Sequence, residues 1–362
     1  GLGSPLQLLG RNGTRAELVD GAVRCVARKL EVDPRLLVDF HKELLRNKGN
    51  ASLIDQRMYG VVTFNARMHA CARAAAAGRA AVQDGEEVLV AMREGGAKPS
   101  LFTYNKMLEL VEGVSSFGRA DLHVGKAVLA AMAQDGVVPD RDTFQRLLAI
   151  SAWSAIHGGA LPEDGYWVLS CMSQSRIRPD AVSVKLLLRV VAGAARHGRA
   201  DVVDLDRVVM LAEGVVPPTD FEFCELAMGA IAQLVSWGRA DLEEGHGYMA
   251  RMEGAGIRPP ARVYHGLLQA ALLSSKRRLS QGHVVHACER LYDGLLAAHG
   301  PSRTALGTLL TVASEEAQHG RVSLLDGFRL IAKYKVWDDA RGALAMRPAG
   351  PGGGHPQPAI TQ

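Results

Sequence analysis

The chain carries 362 residues, 48% hydrophobic, 22% charged and only 5% aromatic, with a formal net charge of +4. This much apolar surface excludes a globally disordered chain, and the shortage of aromatics leaves a core of Ala, Leu, Val and Met, which suits packed helices better than sheets. Five dispersed cysteines (Cys25, Cys71, Cys171, Cys224, Cys288) form no CxxC pair; they exclude a disulfide frame and fit a reducing compartment.

The sequence opens on Gly1 rather than Met, as a chain cut from a precursor would, and as any excerpt would. Residues 1–13 are Gly-rich and read as loose. Ala16–Leu30 and Pro34–Arg46 read as helical stretches of an N-terminal cap, residues 1–60, with a basic group at Arg24, Arg28, Lys29, Arg46 and Lys48. No run of 18 apolar residues lacks a charge or a breaker, so no membrane-spanning helix is expected.

From residue 61 a period of 40 residues sets in. Gly-Arg-Ala recurs at Gly78, Gly118, Gly198 and Gly238, with Gly158-Gly159 at the missing beat. Pro99, Pro139, Pro179, Pro218 and Pro259 keep the same time, as do Met92, Met132, Met172, Leu211 and Met252. Such a period signals stacked repeats. Within residues 101–140, Tyr104, Met107, Leu108 and Val111 form one helical face; Gly118 ends that helix, and Asp121 caps the next. Val124, Val128, Leu129 and Met132 make the second apolar stripe, closed by Gly136 and Pro139. Gly85, Gly125, Gly165 and Gly245 fall at one phase of the second helix, which predicts close backbone approach there. Phe64, Tyr104, Phe144, Val184, Phe223 and Tyr264 share one apolar slot of the first helix; Met68, Leu108, Leu148, Leu188, Ala227 and Leu268 share another. A helix pair cannot bury both faces alone, so the units must stack. The expected fold is all-α: an α-solenoid of about six to seven helix-turn-helix repeats (61–100, 101–140, 141–180, 181–219, 220–260, 261–302), a C-terminal capping repeat at 303–346 and a flexible Pro/Gly tail at 347–362.

The period fits several helical-repeat families; the junctions narrow it. Pro99-Ser-Leu-Phe-Thr-Tyr-Asn105 resembles the junction of pentatricopeptide repeats, and Val62–Asn65 and Pro139–Gln145 are further copies. So is the Met-x3-Gly-x2-Pro ending at Met92–Pro99, Met132–Pro139 and Met252–Pro259. The resemblance covers residues 61–302 and departs in unit length, 40 residues against the family's about 35.

The resemblance implies single-stranded RNA binding, one base per repeat. It carries base reading onto Asn65 with Ser100, Asn105 with Asp140, Gln145 with Asp180, Lys185 with Thr219, Cys224 with Pro260, and His265 with Ser302. Asn with Asp resembles a uridine reader and Asn with Ser a cytidine reader; the other four pairs fit no common code. The base-sandwiching position falls on Val62, Phe102, Asp142, Val182, Phe221 and Arg262, and Asp142 suits neither a base nor a nearby phosphate.

Arg79, Arg119, Arg199, Arg239 and Arg321 stand in a row of turns, as phosphate contacts or as donors to the carbonyl end of their own helices. Arg262, Lys276, Arg277, Arg278, Arg290 and Arg303 form the densest basic group. His283, His286 and Cys288 have one-face spacing but no fourth ligand for zinc. Asp121, Asp201 and Asp241 each lie in their own repeat and read as caps. No nucleophile or phosphate-loop motif stands out, so no enzyme, cofactor, metal, membrane or small-molecule substrate is expected. The expectation is a structural RNA-binding protein of the mitochondrial ribosome (chloroplast as the alternative), holding ribosomal RNA by shape and charge beside neighbouring ribosomal proteins. The alternatives are a free organellar RNA stability or processing factor and a protein–protein scaffold without RNA contact.

Overall fold

A helix needs an acceptor for its first amides, and Ser100, Asp140, Asp180 and Asp220 supply one at intervals of 40 residues. In the computed structural model, which describes residues 53–280, 283–323 and 325–334, each of these side chains caps a helix. Asp140 Oδ1 accepts from Thr143 N at 2.9 Å, while Asp140 N donates to Thr143 Oγ1 at 3.2 Å. The N-terminal basic group, residues 1–52 and the tail from 335 lie outside the described residues.

The described chain divides into two units, at Pro259 and Pro260. The first contains five helix pairs: α1 (Leu53–Ala76) with α2 (Val82–Glu94), α3 (Leu101–Ser115) with α4 (Leu122–Gln134), α5 (Arg141–Ile156) with α6 (Pro162–Gln174), α7 (Ala181–Arg196) with α8 (Val202–Ala212), and α9 (Phe221–Ser236) with α10 (Leu242–Gly254). The odd-numbered A helices pack side by side in sequence order. The even-numbered B helices form a second layer: α2, α4, α6 and α8 each touch the A helix before and the A helix after, and α10 touches α9. The second unit holds α11 (Ala261–Lys276), α12 (Val284–His299), α13 (Arg303–Gln318) and a helix over 325–334. The described residues are all helix and turn, the helical-repeat architecture that the 40-residue period calls for. No helix among them is long and apolar enough to cross a membrane.

The core runs between the layers. Tyr104, Met107, Leu108 and Val111 of α3 are at most 1% exposed, and Met92 and Met132 of the B helices are fully buried. Each such side chain contributes roughly 1.5–3 kcal/mol of burial. The phased B-helix glycines serve this contact differently from the sequence expectation. A Cβ on Gly85 would meet Met107 Sδ at 2.4 Å, and one on Gly165 would meet Leu187 Cδ1 at 2.5 Å. Gly85 and Gly165 therefore make room for a side chain of the next A helix, not for its backbone. Backbones approach elsewhere, between A helices: a Cβ on Gly113 would lie 2.7 Å from Ala76 N.

Two apolar slots shift by one residue in the repeat that follows Asp220. The α8 helix stops early, at Ala212, and the loop to Asp220 restores the 40-residue interval. Cys224 and Met228 consequently stand at the register of Tyr104 and Leu108, in place of Phe223 and Ala227.

Candidate nucleic-acid interface

Because the A helices of the first unit lie side by side, their N-termini form one edge, the junction edge. Polar side chains link it rung by rung. Thr103 Oγ1 donates to Asn65 Oδ1 and Thr143 Oγ1 to Asn105 Oδ1, each at 2.7 Å. Asn105 Nδ2 donates to Asp140 Oδ1 at 3.1 Å, and Gln145 Nε2 to Asp180 Oδ1 at 3.0 Å. The resemblance pairs Asn105 with Asp140 and Gln145 with Asp180, and the fold brings both pairs into contact. Ser100 caps α3 and bonds Thr103, while Asn65 meets Thr103. In the second unit His265 Nε2 stands 3.3 Å from Ser302 Oγ.

The electrostatics follow from these contacts. Burial opposes ionisation of Asp140, but the Thr143 amide and the Asn105 and Thr143 side chains outweigh it and hold the carboxyl below its usual range. Asp180 is treated the same way by burial, then by Ser183 and Gln145. Both carboxylates are therefore committed acceptors, and Asn105 is itself buried.

Three expected site positions are corrected by the shifted register. Lys185 pairs with Asp220, at 2.7 Å, and not with Thr219; it also reaches Glu222 at 2.9 Å. Asp220 and then Glu222 hold its ammonium above the usual lysine range. Glu225 stands five residues after the cap, where Cys224 was expected opposite Pro260. Glu222 takes the outward place assigned to Phe221, which is nonetheless 42% exposed. Along the outward column Phe102 and Val182 are about half exposed, at 53% and 52%. Asp142 is tied to Arg146 at 3.0 Å, and Glu222 to Lys185 and to Arg189 at 2.8 Å. Arg262 is exposed at the start of α11.

The opposite edge carries the A-to-B turns, and there the fold spends two of its periodic cations. Arg119 Nη2 donates to Gly78 O at 3.1 Å and Ala80 O at 3.3 Å; Arg199 donates to Gly158 O. The acceptors belong to the preceding repeat, so these arginines stitch repeats together instead of capping their own helices. In the second unit Arg321 reaches Ser280 O at 2.8 Å. Arg79 and Arg239 are exposed at the same edge. A neighbouring row reinforces the stitching: His157 Nε2 donates to Ser116 O at 3.1 Å, His197 Nε2 to Ile156 O at 2.9 Å and Trp237 Nε1 to Arg196 O at 3.0 Å. Each ring covers the turn glycine before it. Gly198, at φ +66°, has Trp237 Cδ2 2.9 Å from where a Cβ would lie.

The basic group of the second unit is not one patch. Arg262 opens the 16-residue α11, whereas Lys276 ends it and Arg277 and Arg278 follow, so about 20 Å of helix separates them. Arg278 takes a turn-glycine place at φ +59°, with Nε 3.1 Å from His319 Nε2. The zinc trio does not converge either: Cys288 is fully buried while the His286 side chain is 71% exposed. No group of three or more His, Cys, Asp or Glu among the described residues could hold a metal.

These junctions can be set beside known proteins. Residues 56–113 match the pentatricopeptide repeat domain. The matched pentatricopeptide segment runs from α1 to Gly113 and holds Asn65, Ser100, Phe102 and Asn105. A search of curated proteins gives no match. Among solved structures, the chain is similar to two crystal structures of the pentatricopeptide repeat protein PPR10 in complex with an 18-nt psaJ RNA element, one of them a cysteine-to-serine variant. Each is 15% identical, with a TM-score of 0.39, over 91% of this chain and 46% of the other. The chain therefore spans about half the length of that protein.

Sequence reasoning missed two features of this site. The row before each turn glycine (Phe117, His157, His197, Trp237) was legible as an aromatic or His every 40 residues. Lys98, Arg176 and Arg178 had no such signal, because only the fold shows that they share the junction edge.

Proposed function

We propose that the chain is a pentatricopeptide-repeat protein that holds single-stranded RNA along the junction edge of its first unit. The observation that carries this reading is the ladder from Asn65 to Asp180, in which Asn65 meets the Thr103 hydroxyl 38 residues on and the Asn105 and Gln145 carboxamides meet carboxylates 35 residues on. It begins within the segment that matches the family domain. The grip is by shape and charge more than by a base code. Lys185 is tied up by Asp220 and Glu222, Asp142 faces outward, and Pro260 offers no side-chain donor.

We further propose that the RNA is ribosomal and the setting a mitochondrial ribosome, with ribosomal proteins as neighbours. The mixed pairs support this over selection of one transcript, since a clasp on a fixed partner needs no reading of sequence. A single Asn–Asp pair, Asn105 with Asp140, supports the other reading, a free organellar RNA factor. Sucrose-gradient fractionation separates the two. The ribosomal reading expects cosedimentation with a subunit, and sedimentation apart from subunits at low salt would overturn it. A filter-binding salt titration tests RNA contact itself, with a log–log slope near −0.7 per neutralised phosphate expected.

A further inference from the structure

The turn edge uses Arg119 and Arg199 internally and leaves Arg79 and Arg239 exposed, whereas the junction edge carries a set of outward cations of its own. There Lys98 and Arg178 stand at the same place in their repeats, two residues before the caps Ser100 and Asp180, and both are exposed. Neither makes a hydrogen bond or an ion pair among the described residues; Lys98 lies within electrostatic reach of Asp135, which Tyr104 and Arg93 already hold. The cap carboxylates of this edge, Asp140 and Asp180, are occupied by amides and hydroxyls, and Asp180 also by Arg141 at 3.9 Å.

Arg176 supplies an independent observation. It is exposed and left-handed, at φ +58°; its amide donates to Ser173 O at 2.9 Å, while its side chain makes no hydrogen bond or ion pair among the described residues. In three other repeats the same place is glycine: Gly96 at φ +72°, Gly136 at +70° and Gly256 at +79°. A side chain there costs backbone energy that glycine avoids, and such outliers collect where function holds them. No hydrogen bond or ion pair of its side chain among the described residues offsets that cost.

We propose that Lys98, Arg176 and Arg178 form a phosphate track along the junction edge, flanked by the outward faces of Phe102 and Val182. The ligand class is single-stranded RNA, and the track rests on the RNA reading above. An extended backbone passing this edge would meet the cations first, with the Phe102 ring and Val182 beside it as apolar faces for bases.

The test uses the full chain and single-stranded oligouridine long enough to span the first unit. K98E/R178E is compared with R79E/R239E, which reverses the same number of charges at the turn edge. We expect K98E/R178E to weaken binding about tenfold or more at low salt and to flatten the log–log salt slope by about 1.4, with R79E/R239E close to the unaltered chain. Equal losses in both, no loss in either, or a loss only in R79E/R239E would overturn the track while leaving RNA binding standing. No binding by the unaltered chain would overturn the RNA reading and the track together. Should the glutamate pair fail to fold, K98Q/R178Q against R79Q/R239Q carries the same slope comparison. Arg176→Gly adds a readout of opposite sign: a melting temperature equal or higher, with weaker RNA binding. Unchanged affinity in that variant would overturn Arg176's place in the track.

Discussion

The two edges of the first unit are built from similar residues and spend them differently. At the turn edge, Arg119, Arg199, His157, His197 and Trp237 each reach back 39 to 41 residues to a carbonyl of the preceding repeat. At the junction edge carboxamides, hydroxyls and carboxylates knit the repeats, joined by Lys185, while Lys98, Arg176 and Arg178 face outward. A periodic cation is thus no guide to phosphate binding until its hydrogen bonds are known. Arg119 and Arg199 owe their shared place in the 40-residue beat to a structural duty, whereas the outward cations keep only partial time.

If the A-helix contacts align both edges, the largest effect should come from Gly113→Ala, whose Cβ would lie 2.9 Å from the carbonyl carbon of Ala75. Forcing α1 and α3 apart should cost about 2–3 kcal/mol in urea unfolding. Gly85→Ala presses on a flexible methionine instead and gains helix propensity of about 1 kcal/mol, so it should cost clearly less; the reverse ranking would break the comparison. Next comes Trp237→Ala at the turn edge, expected to lower stability by about 2 kcal/mol and to leave RNA affinity unchanged. Asp140→Ala removes a cap and a rung of the junction ladder, for about 1–2 kcal/mol. Arg199→Ala should be the mildest of these, about 1 kcal/mol, again with RNA affinity unchanged. A loss of affinity with Arg199→Ala would show that the turn edge touches RNA after all.

Acid titration sharpens the junction side. Asp140 and Asp180 are held below the ordinary aspartate value of 3.8. Their contribution is fully present above that value and is lost as pH falls through their lower folded values. Stability of the unaltered chain should therefore fall away below about pH 4. D140N/D180N should flatten that acid limb, and an unchanged limb would show that the ladder does not depend on charge.

Much of the fold was legible because a repeat writes its own alignment. Gly118 and Gly198 mark turns by their positive φ, Asp121, Asp201 and Asp241 cap B helices, and Tyr104 to Val111 set the buried face. The site was legible only in part. The family resemblance paired Asn105 with Asp140 and Gln145 with Asp180, which meet, and Lys185 with Thr219, which do not, because the short α8 helix is made up by its loop and the cap falls on Asp220. Counting landmarks one helix earlier carried that slip into Cys224 and Phe221.

The sequence by itself determined the period, the helix pairs, their caps and the residues each pair must bury, because these depend on neighbours within about 40 positions. Only the tertiary structure decided which polar groups are spent. A hydrogen bond from one repeat's arginine to the previous repeat's carbonyl depends on how two helices lie side by side, and no linear pattern of residue types distinguishes that arginine from one left facing solvent.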